Sequence, residues 1–154
     1  MHISSRIVVL LTICLVFLSD ASLAQHSTSS SERELFNSIN HDRQAHGLPA
    51  LKWNDALAVA ARKHATRMAR QKSLSHQFPG EASLPGRAHQ AGAHFVSLSE
   101  NVAEGPDASL IHSQFVKSPK HHANILDTDM NSIGIGVAER NGQLFAVEDF
   151  SKSK

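Results

Sequence analysis

Apolar positions change their period along the chain, and each change predicts an element. Leu35, Phe36 and Ile39 follow Ser31-x-x-Glu34, a pairing of capping-box form in which the serine oxygen and the carboxylate each satisfy a free backbone N–H. A first helix is predicted from Ser31, ending near Gly47-Leu48-Pro49, where glycine permits a left-handed cap and proline blocks continuation. Behind Asn54 or Asp55 as cap, Leu57, Ala60, Ala61, His64, Ala65 and Met68 recur at three- and four-residue spacing and predict a second helix. Its small alanines favour close approach to a neighbouring element. Pro79, Gly80, Pro85, Gly86 and Gly92 predict an irregular loop from Phe78 to Gly92. A short strand is expected within Ala93–Val102. A third helix is expected over Ala108–Lys117, with Leu110, Ile111, Gln114 and Phe115 inward, Pro119 as its stop, and a short turn from His121 to Leu126. The runs Ser132–Glu139 and Gln143–Phe150 are apolar or alternating, and Asn141-Gly142 between them is a strong hairpin signal. Helices first and a hairpin last describe a mixed α/β chain of α+β type, a small antiparallel sheet covered by helices.

The N-terminus follows a different logic. Arg6, the uncharged apolar run Ile7–Leu18 and Ser22-Leu23-Ala24 have the three parts of a secretory leader. The run is well short of the roughly 20 apolar residues that spanning needs, so no stable membrane anchor is expected. The expected organisation is a signal peptide over residues 1–24, a polar serine-rich tether over 25–30 and one folded domain over 31–151. The protein is then secreted, to the periplasm or the extracellular space, after cleavage near Ala24. Cys14, the only cysteine, leaves with the leader, so the domain has no disulfide, no thiolate nucleophile and no cysteine ligand for a metal. A net charge of +1 over 154 residues gives no reason to expect a nucleic acid or an anionic membrane as partner. Eleven histidines and no tyrosine are the compositional oddity, too dispersed for a metal-binding tract.

The run Ser118-Pro119-Lys120-His121-His122-Ala123-Asn124-Ile125-Leu126 stands shortly before Ile133-Gly134-Ile135-Gly136-Val137. Upstream lie Ser75-His76 and Glu100-Asn101. In this order they resemble the CAP superfamily (SCP domain; cysteine-rich secretory protein, antigen 5 and pathogenesis-related 1 family), in particular its short secreted bacterial branch; the lack of cysteine agrees. The resemblance runs from about Ser31 to Phe150. It implies a three-layer α-β-α sandwich with the final hairpin at the centre of the sheet. It also implies a cleft lined by two histidines and two acids, of which His76, Glu100 and His121 match three and Ser118 replaces the fourth. Further departures are Phe115 for a tryptophan, Ser99 for the glycine before the glutamate, and His122 for an arginine.

Two imidazoles and a carboxylate make a three-ligand set for Zn2+ with one open position, so His76, His121 and Glu100 are the candidate metal ligands. Each also has a plain reading: His76 as a cation at the C-terminus of the second helix, Glu100 as an acceptor of loop N–H groups, His121 as a helix cap. His64 on an apolar stripe reads as a hydrogen-bonded core histidine, His122 as exposed, Asn124 as an amide holding a turn, and Gly134 and Gly136 as sites of close packing within the sheet. Three functions compete. The first is a non-catalytic binding module for a divalent metal, a small ligand, a lipid or a peptide. The second is a metal-dependent, peptidase-like hydrolase in which Zn2+ activates water. The third is an interaction protein that works through its surface with a vestigial cleft.

Overall fold

In the computed structural model, which describes residues 28–153, the second expected helix is the platform on which the sheet is laid. It runs Asp55–Gln71 (α2), capped by Asn54, whose side chain accepts from the Leu57 N–H. Asp55 instead accepts from Trp53 Nε1 at 2.9 Å. The first helix, α1, spans Ser30–Ala45, and its capping box is Ser29 with Glu32 rather than Ser31 with Glu34. A serine run offers several registers; Glu32 decides among them because its buried carboxylate also takes Arg62 Nε at 2.7 Å and the Val137 N–H at 3.2 Å. Burial works against that charge, yet the bonds from Arg62 and Ser29 outweigh it and hold Glu32 below the usual carboxylate range. The predicted leader and residues 25–27 of the tether lie outside the described residues, and Ser30 is already helical.

The loop expected from Phe78 to Gly92 contains a helix, α3, over Leu84–Gln90. Pro85 and Gly86 are not breakers there, because proline is tolerated in a first helical turn, where its missing N–H has no intrahelical partner. Pro119 does the same: it stops α4 (Ala108–Lys117) and opens α5 (Pro119–Ile125), with Ser118 as the cap between them. Four strands form one sheet, β1 (Lys52–Trp53), β2 (Ser97–Gly105), β3 (Ser132–Arg140) and β4 (Gln143–Lys152), in the order β1-β3-β4-β2. The strand expected within 93–102 thus starts later and runs longer. The hairpin is central as expected, turning at Asn141 and Gly142 with φ of 52° and 74°, the paired positive angles of a tight hairpin turn. Its neighbour β2 is antiparallel, whereas the two-residue β1, too short to be read from the chain, joins β3 in parallel.

Helices cover both faces. α2 lies on one, with Ala61, Ala65, Met68, Val102 and Val147 buried between helix and strands. α1, α4 and α5 cover the other around Leu35, Ile39, Ile111, Phe115, Ile135 and Phe150. Gly134 and Gly136 make their close contact with α2 rather than within the sheet: a Cβ would fall 2.2 Å from Ala58 N and 2.1 Å from Arg62 N. Arg43 of α1 is fully buried, and its guanidinium donates to the carbonyls of Pro49, Ile125, Asp127 and Met130. That grip ties the end of α5 to α1 and so helps to fix the position of His121.

Candidate functional site

β2 is an edge strand, and its side chains alternate between the two helical layers. Glu100 points to the α2–α3 side and Asn101 to the α4–α5 side, so one dipeptide reaches both. On the first side, Glu100 is buried and both oxygens are engaged. Oε1 faces His76 Nδ1 at 2.8 Å, and Oε2 pairs with Arg87 Nη2 of α3. Arg87 also donates to the His76 carbonyl at 2.9 Å. His76 itself is 63% exposed at its side chain: it does not cap α2 but sits in the chain that follows, its ring clamped on one edge and open to solvent elsewhere.

On the second side, Asn101 Nδ2 donates to the His121 carbonyl at 3.2 Å and to Glu148 Oε2 at 3.1 Å, and its oxygen accepts from Asn124 Nδ2 at 2.8 Å. Asn124 therefore fastens α5 to β2 rather than merely holding a turn. The His121 ring stands edge-on to Phe115, with centroids 5.2 Å apart. Burial, and then the charge of His76, lower the pKa of His121 below that of free imidazole, which keeps it neutral at pH 7. His76 and His121 thus lie near enough for the charge of one to act on the other. Glu100 stands behind His76, and among the described residues no three His, Cys, Asp or Glu side chains are grouped so as to hold a metal ion.

Two further acids were not anticipated. Asp149 lies opposite Glu100 in the register and Glu148 opposite Asn101, both with no exposure. Burial, and then the charge of Glu100, raise the pKa of Asp149 well above its ordinary range, with Arg87 pulling the other way. Burial pushes Glu148 up to about 8 against the opposing bond from Asn101. Neither Asp149 oxygen has a hydrogen-bond partner, and Glu148 Oε1 has none. The signal was the pair Glu148-Asp149 inside the otherwise apolar run Leu144–Phe150. His64 is the satisfied core histidine expected, between Glu81 Oε1 at 2.8 Å and the Ser75 carbonyl at 2.7 Å. His122 is not exposed but half-buried, edge-on to His46.

Residues 36–150 match the cysteine-rich secretory protein family, CAP. A Bacillus subtilis protein, YkwD, described as uncharacterized, is 27% identical over 117 residues, which make up 75% of this chain and 46% of that protein. An extracellular SCP-domain protein from Bacillus anthracis has a similar structure, with a TM-score of 0.75 at 25% identity over 80% of this chain and 40% of that one. An outer surface protein from Borrelia burgdorferi has a TM-score of 0.76 at 22% identity, over 83% and 96% of the two chains. The chain therefore spans less than half the length of YkwD and of the anthracis protein.

Proposed function

The chain belongs to the cysteine-rich secretory protein (CAP) family, and from that premise we propose an exported, non-catalytic binding module. Its site is the pair His76 and His121, which takes a divalent cation, Zn2+ first among them, or a small ligand that imidazoles can hold. Export draws support from the leader pattern of residues 1–24 and from the description of the similar anthracis protein as extracellular.

The observation that carries the reading is the fixed orientation of His76. With Nδ1 bound to Glu100, Nε2 is left as the ligating nitrogen, and a carboxylate behind a histidine sets the ring and raises its basicity, as in carboxylate–histidine–metal arrangements. Glu100 is then the orienting group rather than the third ligand, because Arg87 and His76 occupy its two oxygens. The neutral ring of His121 supplies the second ligand, leaving the other positions of a tetrahedral ion to water or to atoms of the bound partner. Turnover is disfavoured by the same geometry. A general base needs a free carboxylate near the bound water, yet Glu100 is pinned, Asp149 is fully buried, and Ser118 stands where a further acid was expected.

Zinc titration by calorimetry on the exported form tests this, with His76→Ala and His121→Ala as variants. Binding in the wild type and its loss in both variants is the expected result. It should also be lost between about pH 7.5 and about pH 5, as protonation of the imidazoles displaces the ion. Binding indifferent to both substitutions refutes the site, and zinc-dependent cleavage of peptides refutes the non-catalytic reading.

A further inference from the structure

The solvent face of α2 is the most unbalanced part of this molecule in charge. Between Asp55 and Lys72 the chain has five cations, Arg62, Lys63, Arg67, Arg70 and Lys72, against the single acid Asp55, while the whole chain carries only +1. The rest of the chain together is therefore net negative. Arg62 is paired with Glu32, but among the described residues Lys63, Arg67, Arg70 and Lys72 have no carboxylate within ion-pair distance.

Their spacing is not what an isolated helix favours. Lys63 and Arg67 are four residues apart and Arg67 and Arg70 three, so like charges lie one above the other on a single face, where alternating signs stabilise a helix and equal signs oppose it. The C-terminal end of the helix dipole favours Arg70 in the last turn but does nothing for Lys63. These side chains also border a hollow of about 550 Å3 lined by Lys63, Thr66, Arg67, Arg70, Gln71 and Glu81. The acid in that lining is turned inward: Glu81 meets His64 Nδ1 and accepts the Phe78 N–H. Arg67 is already ordered, donating to the Pro79 carbonyl at 3.0 Å with its guanidinium 5.7 Å from the centre of the Phe78 ring.

We propose that the Lys63–Arg67–Arg70 stripe of α2 is a docking surface for a linear phosphate-bearing polyanion. Along the axis the three cations are about 6 and 4.5 Å apart, at 1.5 Å rise per residue. A row of that length matches a chain with a charge every few ångströms better than it matches one small anion. Ammonium and guanidinium together suit phosphate, the guanidinium by its two-pronged donor fork. A lipid surface suits the face less well, since interfacial helices insert large apolar side chains and of the four exposed ones among the described residues only Val59 belongs to α2. This surface does not depend on the histidine site.

The test is calorimetric titration of the exported form with long-chain inorganic polyphosphate at about 50 mM salt, with the titration repeated at higher salt to read counterion release. Lys63→Glu with Arg70→Glu is the main variant: both residues are exposed and neither makes an ion pair. Lys52→Glu with Lys117→Glu, off this face, is the control, and Lys63→Gln with Arg70→Gln substitutes for the main variant if its melting profile is altered. Expected are wild-type binding that weakens steeply with salt, a loss of about ten-fold or more in the α2 variant and little change in the control. The proposal is overturned if the wild type does not bind, if both double variants lose affinity equally, or if phosphatidylglycerol vesicles are bound while polyphosphate is ignored.

Discussion

One row across the sheet contains two kinds of interior. Gly134 of β3, Asp149 of β4 and Glu100 of β2 lie side by side in register, all on the face turned toward α2 and α3. At Gly134 that face is bare backbone, and the helix backbone rests on it with no room for a Cβ. Across the next two strands, roughly 10 Å at ordinary strand spacing, the same face carries the buried carboxyls of Asp149 and Glu100, the latter paired with Arg87 and His76. The glycine end is specified by shape and tolerates no added volume. The acidic end is specified by charge, and it holds together only while Glu100 keeps its counterparts.

Adding volume at the glycine end should have the largest effect. Gly136→Val puts a branched side chain into the backbone of α2. A loss of about 4 kcal/mol or more is expected, beyond ordinary overpacking, and thermal melting followed by circular dichroism should show little cooperative unfolding. The acidic end should break next. Arg87→Met removes the cation from a pair whose side chains are 6% and 3% exposed and leaves Glu100 and Asp149 together without it. Orphaning a buried charge this way costs about 3 kcal/mol, readable in urea unfolding, and zinc affinity should fall about ten-fold as His76 loses its fixed support. If Arg87→Met unfolds no more easily than wild type, the acidic end is not held by charge pairing.

The smallest effect sharpens the comparison from the opposite face, where Glu148 lies in the neighbouring row. Its folded pKa of about 8 is raised from 4.5, so the unfolded chain ionises first. The stability linked to it is fully present below about pH 4.5 and drains away as pH rises toward 8. Glu148→Gln does not titrate. The variant should therefore match wild type near pH 4 and exceed it by about 2 kcal/mol near pH 6, the linkage over that span, in urea unfolding at the two pH values. A difference that stays constant with pH would show that Glu148 is ionised in the folded protein.

How much of this was legible in the chain varies with the range of the interaction that decides it. The second helix, the hairpin and its turn at Asn141-Gly142 were readable because apolar period, caps and positive-φ residues act within a few positions. The helix at Leu84–Gln90 was missed for a local reason, since proline and glycine in a first turn look the same in sequence as proline and glycine in a loop. The first capping box slipped by two residues because Arg62 and Val137, far along the chain, choose which glutamate reaches back.

By itself, then, the sequence determined the elements, their order, the likeness to a known family and the identity of His76, Glu100 and His121 as residues to watch. Only the tertiary structure decided what those residues touch and how far each is buried. Separations of 24 and 21 positions contain no proximity information. Burial of Asp149 and Glu148, the pinning of Glu100 by Arg87 and the release of one edge of His76 to solvent arise from strand register and helix placement. Charge in a folded protein depends on what surrounds a group within a few ångströms, and that neighbourhood exists only once the sheet has formed.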